Sequence, residues 1–131
     1  MTVRERVEQL VDFLKTNPPI EEVYMRFYAD NMVFQENLLA PRYGRALSIE
    51  RQQHINANIK EVHDFNIGAV LFDRDHSVME INLNVVSQDG NLMNIEKLSM
   101  QTWQEGYIIH ERLFYDSVVV QDFAKEFQPI N

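Results

Sequence analysis

The hydrophobic period of this chain changes once, from 3.6 to 2, near residue 63. That change confines the fold to helices grouped in the first half and strands grouped in the second. On the helical side, Val3, Val7, Leu10, Val11 and Leu14 fall on one stripe, with Arg4, Glu5, Glu8 and Asp12 turned away. This predicts an amphipathic helix over 3–15 with Thr2 as its N-cap. Asn17-Pro18-Pro19 stops it and starts a second helix, because Pro fits a first turn but not a helix interior. Ile20, Val23, Tyr24, Phe27 and Tyr28 carry that helix's stripe, and Ala29-Asp30-Asn31 ends it. Next come a short strand over 32–36 and a loop over 37–47 with Pro41 and Gly44. A third helix is predicted from a Ser48 cap to about Val62, with Ile55, Ile59 and Val62 as its apolar stripe and Glu50, His54 and Asn58 on a polar face.

From there residues 64–72, 77–87, 91–104 and 107–116 read as strands, with clean alternation over 77–87. Asp89-Gly90 and Glu105-Gly106 are two-residue hairpin signals. A last helix from Ser117, or a short strand over Val118–Val120, completes the chain. Counting outward from two-residue turns puts Val85 opposite Asn94, Leu83 opposite Glu96, Ile81 opposite Leu98 and Met79 opposite Met100. In the second hairpin it puts Thr102 opposite Ile109, Met100 opposite Glu111 and Glu96 opposite Tyr115. Paired residues share a face. The helices are therefore expected to cover a face of Met79, Ile81, Leu83, Val85, Leu98, Met100, Ile109 and Leu113, into which Glu96, Glu111 and Tyr115 intrude. The other face is expected to carry Lys97, Ser99, Gln101, His110 and Arg112, with Trp103, Ile108 and Phe114 among them as an interface.

Composition narrows the function. The chain has 131 residues, 45% of them hydrophobic and 24% charged, which suits one soluble α+β domain spanning 1–131. It has no cysteine, which excludes disulfides, thiolate metal sites and cysteine nucleophiles. Twenty acids against twelve bases give −8, a poor match for nucleic acid or an anionic membrane. No apolar run is long enough to span a bilayer, and Met1 to Lys15 lacks the pattern of a signal peptide, so a cytoplasmic protein is expected. His54, His63, His76 and His110 sit on different elements without metal-ligand spacing, so neither a metal nor a cofactor is expected. There is no nucleophile elbow, phosphate loop or dinucleotide fingerprint.

Two strings carry a resemblance. Phe27-Tyr28-Ala29-Asp30-Asn31-Met32-Val33-Phe34 and Glu111-Arg112-Leu113-Phe114-Tyr115-Asp116 resemble the SnoaL-like branch of the nuclear transport factor 2-like superfamily, as does the turn Gln104-Glu105-Gly106-Tyr107-Ile108. The resemblance spans about residues 5–125. It implies an α+β cone, a curved antiparallel sheet wrapped around three helices. It further implies a pocket in the concave face and a homodimer through the convex one. Members include ketosteroid isomerases, polyketide cyclases, dehydratases, epoxide hydrolases and non-catalytic binding domains. Glu36 falls where the isomerases place their general-base aspartate. Their second acid falls at about Leu98, and the 3–15 helix has no counterpart of their tyrosine. Two of the three groups are missing, which speaks against steroid isomerase chemistry.

The candidate catalytic residues are therefore Glu36 as base, with Glu96, Glu111 and Tyr115 as assisting groups. Glu96 and Glu111 lie four residues apart along the expected ladder, on the order of 13 Å, too far for a dyad. The expected ligand is a small apolar or amphipathic molecule, and the expected chemistry is cofactor-free isomerisation, cyclisation or dehydration by proton transfer. A non-enzymatic binding or assembly module is the alternative.

Overall fold

The computed structural model describes residues 1–116. The expected element after Ser117 lies outside them. Helix α1 (Val3–Leu14) starts where Thr2 Oγ1 accepts the Glu5 N–H at 3.1 Å, and it buries Val7 and Leu10. Helix α2 (Ile20–Phe27) begins behind Pro19, with Glu21 and Glu22 in its first turn and Arg26 in its last, each sign matched to the helix dipole. Arg6 ties this corner together. It donates to the Gly106 and Arg26 carbonyls, each at 2.7 Å, and stacks on Phe27.

Strand β1 (Tyr28–Glu36) follows α2 without a loop. Ala29-Asp30-Asn31 therefore belongs to the strand rather than to a helix end, at an irregularity in its pairing between Tyr28 and Val33. Strand β2 (Arg42–Tyr43) and helix α3 (Arg45–Ala57) come next. The cap of α3 is Gly44, whose φ of 96° favours glycine. Ser48 lies inside the first turns, buried against Met32, and is not the cap. The helix also ends earlier than its apolar spacing suggests. Ile59 and Val62 belong to strand β3 (Ile59–Asp73), because pairing with Ser87 and Val85 gives these β-branched residues a ladder.

Strands β4 (His76–Ser87), β5 (Leu92–Gln104) and β6 (Tyr107–Tyr115) complete an open six-stranded sheet of order β2-β1-β6-β5-β4-β3. It is antiparallel except where β1 runs parallel to β6. The chain has the α+β cone fold that the resemblance implies.

Two details reset the expected register. The first hairpin has a three-residue loop, Gln88-Asp89-Gly90, closed by the Ser87 N–H on the Asn91 carbonyl at 2.9 Å, with Gly90 at φ 86°. Val85 thus faces Met93, Ile81 faces Lys97 and Met79 faces Ser99. The second hairpin does close on two residues, Glu105 and Gly106, both at positive φ, pairing Gln104 with Tyr107. Ile109 then bulges, so Thr102 faces His110 and Gln101 faces Glu111. A one-residue slip turns a strand over. Lys97, Ser99, Gln101, Trp103 and Ile108 consequently share the helix-covered face, while Glu96, Leu98 and Met100 turn outward. Trp103 and Ile108 are core residues, 2% and 0% exposed, and not interface residues. They pack with Leu10, Phe27, Met32 and Met79.

Candidate functional site

Between the helices and the inner sheet face lies a cavity of about 760 Å³. Apolar side chains such as Leu10, Leu14, Ile81, Leu83 and Leu113 line much of it. Two buried polar clusters flank it.

The first is centred on Glu36, at the end of β1. Its Oε2 accepts from Arg42 Nη1 at 3.0 Å and from Arg51 Nε and Nη2 at 2.8 and 2.7 Å. Its Oε1 accepts from the Tyr115 hydroxyl at 3.1 Å. All three charged side chains are 5% exposed. Arg42 also stacks on Phe34. Tyr115 is positioned by Asn37, whose Oδ1 accepts the Tyr115 N–H at 3.0 Å from a left-handed backbone that Asn tolerates. Glu36 therefore has both oxygens engaged by its neighbours.

The second cluster is a directed chain of donors. Trp103 Nε1 donates to Ser77 Oγ at 2.8 Å, and the Ser77 hydroxyl donates to Gln101 Oε1. Gln101 Nε2 donates to Ser99 Oγ at 2.9 Å, and Ser99 donates to Glu111 Oε2 at 2.7 Å. The Tyr28 hydroxyl donates to the same oxygen at 2.7 Å. Every bond in the chain points toward one carboxylate oxygen, an arrangement in which each bond polarises the next. The other oxygen, Glu111 Oε1, makes no hydrogen bond among the described residues. The Tyr24 hydroxyl and the Lys97 ammonium, also on the cavity wall, likewise have no such partner.

Burial sets the protonation of these groups. It raises Tyr24 and Tyr28, and Glu111 adds to both. It pushes Tyr115 up to about 12, with Glu36 adding. These phenols stay protonated at neutral pH; Tyr28 and Tyr115 donate to Glu111 and Glu36, and Tyr24 keeps a proton to donate. Burial lowers Arg42 against the pull of Glu36, and lowers Lys97 against Glu111 and Glu36.

For Tyr115 this has a measurable sign. The folded state keeps the phenol proton to about 12, whereas the unfolded chain releases it near 10. Folding stability therefore falls as pH rises through that window. Tyr115→Phe is expected to cost about 1 kcal/mol at pH 7, one hydrogen bond to a charged acceptor at a half-buried site. The gap to the unsubstituted protein should narrow between pH 10 and 12. Urea titrations across that range check this, and a constant gap would contradict it.

Of the residues singled out in the sequence, Glu36, Glu111 and Tyr115 line the cavity. Glu96 does not. It is exposed on the outer face, where Asn82 donates to it at 3.3 Å. Lys97, Ser99 and Gln101, expected outside, are inside. Tyr24 and Tyr28 bring hydroxyls to the site as well as packing the core. Tyr24 is on α2 and Tyr28 opens β1, and their rings lie 4.4 Å apart between centroids. Among the described residues no group of three His, Asp or Glu is placed to hold a metal ion.

The fold has many solved counterparts. A proposed SnoaL-like polyketide cyclase from Mesorhizobium loti superposes with TM-score 0.79 at 19% identity, covering 88% of this chain and all of that one. A proposed isomerase from Bacillus subtilis matches with TM-score 0.79 at 14% identity over 97% of this chain and 98% of its own. A protein of ketosteroid isomerase-like fold from Catenulispora acidiphila, in complex with trimethylamine, matches with TM-score 0.64 at 16% identity over 82% and 85%. No protein-family model and no curated protein matches the chain. At these identities the likeness shows the fold alone, the α+β cone that these solved structures share. No helix among the described residues is long and apolar enough to cross a membrane.

Proposed function

We propose that the cavity binds a small amphipathic molecule and that Glu111 moves a proton on it without a cofactor, in an isomerisation, cyclisation or dehydration. The observation that carries this reading is the split state of the Glu111 carboxylate. Oε2 is fixed by Tyr28 and Ser99, and Oε1 has no hydrogen-bond partner among the described residues. A base must be held still and yet keep one lone pair for the substrate. Glu36, the base that position alone suggests, has its oxygens taken by Arg42, Arg51 and Tyr115 and acts as a structural hub. The Tyr24 hydroxyl is the donor for the oxygen on which charge develops.

The test needs no knowledge of the natural substrate. In 5-nitrobenzisoxazole a base takes the ring C–H proton, the N–O bond breaks, and coloured 2-cyano-4-nitrophenolate forms. Saturable elimination faster than acetate at equal carboxylate concentration supports the reading. A rate equal to acetate contradicts it. The second reading, a non-enzymatic binding module, is favoured by the saturation of Glu36 and predicts probe binding without turnover.

We also propose a homodimer through the outer sheet face. Leu98, Met100 and Phe114 are exposed there at 45%, 38% and 37%, with Leu98 paired to Phe114 across the ladder. Light scattering should give the mass of two chains, and Phe114→Glu should shift it to one. A monomeric unsubstituted protein would contradict this.

A further inference from the structure

Lys15, His63, Asp64 and Lys97 line the cavity without a role in the proposed reaction; the first three are exposed, and Lys97 alone of the four is half-buried. It sits in the middle of β5, between Ile81 on β4 and Tyr115 on β6, with its side chain on the inner face. Placing an ammonium group among such residues costs solvation, which proteins ordinarily offset with a carboxylate or hydrogen-bond acceptors. The three carboxylates that line the cavity are instead engaged elsewhere through at least one oxygen, Glu36 with Arg42 and Arg51, Glu111 with Tyr28 and Ser99, and Asp64 with Asn84 at 3.5 Å. Lys97 makes no ion pair or hydrogen bond among the described residues.

We infer that Lys97 receives an anionic group of the ligand, so that the molecule bound is an amphipathic carboxylate or similar anion. This rests on the cavity being a ligand site, as proposed above, and deepens it by naming the ligand's charge. Glu111 stands opposite Gln101, and Lys97 is four residues along the same strand on the same face. Their backbone positions are thus about 13 Å apart along β5. The side chains shorten that separation: the Glu111 carboxylate is held by Ser99 at 2.7 Å, two residues from Lys97, and its charge acts on the Lys97 ammonium.

The experiment compares three probes of one size by calorimetry at pH 7: 2-naphthoate, 2-naphthamide and 2-naphthylmethylammonium. The expected result is that 2-naphthoate binds about tenfold or more tightly than 2-naphthamide, the scale of one charge-assisted contact. Lys97→Met should remove that preference and leave 2-naphthamide affinity within about threefold, while Lys97→Arg retains it. Equal affinity of the intact protein for 2-naphthoate and 2-naphthamide, or preference for the ammonium, overturns the inference and leaves the cavity reading standing. Failure of all three to bind at millimolar concentration overturns both. Because the first comparison uses the unsubstituted protein, the outcome does not depend on either variant folding.

Discussion

Glu36→Ala is expected to destabilise the fold by about 3–5 kcal/mol, the cost of removing one partner from a buried ion pair. The magnitude follows from what remains. Arg42 and Arg51 are each 5% exposed and share the Glu36 carboxylate. Without it Arg42 keeps only its stacking on Phe34, and two guanidinium charges face one another across the vacated volume. Tyr115 also loses its acceptor. Urea denaturation with an unchanged m-value checks this. Replacing the cluster together, Glu36→Leu with Arg42→Met and Arg51→Leu, should recover most of the loss, because a well-packed apolar set often equals a buried ion cluster. A loss below about 1 kcal/mol for Glu36→Ala would place the pair in the class of surface ion pairs and contradict its hub role.

Sequence patterns carried the architecture where local chemistry and tertiary packing agree. The stripe of α1 and its Thr2 cap, the alternation of β4 and the Glu105-Gly106 turn all stand in the structure. Two single-residue events were invisible to a pattern of period 2. One is the third loop residue at Gln88-Asp89-Gly90, and the other is the bulge at Ile109. Each turns the following strand over. Between them lies β5, whose faces were therefore exchanged, hiding Lys97, Ser99 and Gln101 and displaying Glu96. Beyond the second event the slips cancel. Glu111 and Tyr115 reach the expected face only through that cancellation.

The division of labour between the two carboxylates was not legible for a different reason. Glu36 and Glu111 are both acids at strand positions facing the helices, and spacing says nothing of their partners. Arg51 arrives from α3, Arg42 from the short β2, and Tyr28 from the start of β1. These contacts join residues 15, 6 and 83 positions apart. Only the assembled fold shows that Glu36 has both oxygens engaged while Glu111 Oε1 has no hydrogen-bond partner among the described residues.

Whether Glu111 is the acting base is the centre of this account, and one rate measurement tests it most directly. Glu111→Gln keeps the shape of the side chain and an oxygen for Tyr28 and Ser99, so the fold should survive. It removes the basic lone pair. The elimination of 5-nitrobenzisoxazole should then slow by about 10²–10⁴-fold, the usual worth of a positioned general base. Glu96→Gln, on the outer face, should leave the rate unchanged. A Glu111→Gln protein that is folded and turns over the probe at the unsubstituted rate would contradict the assignment.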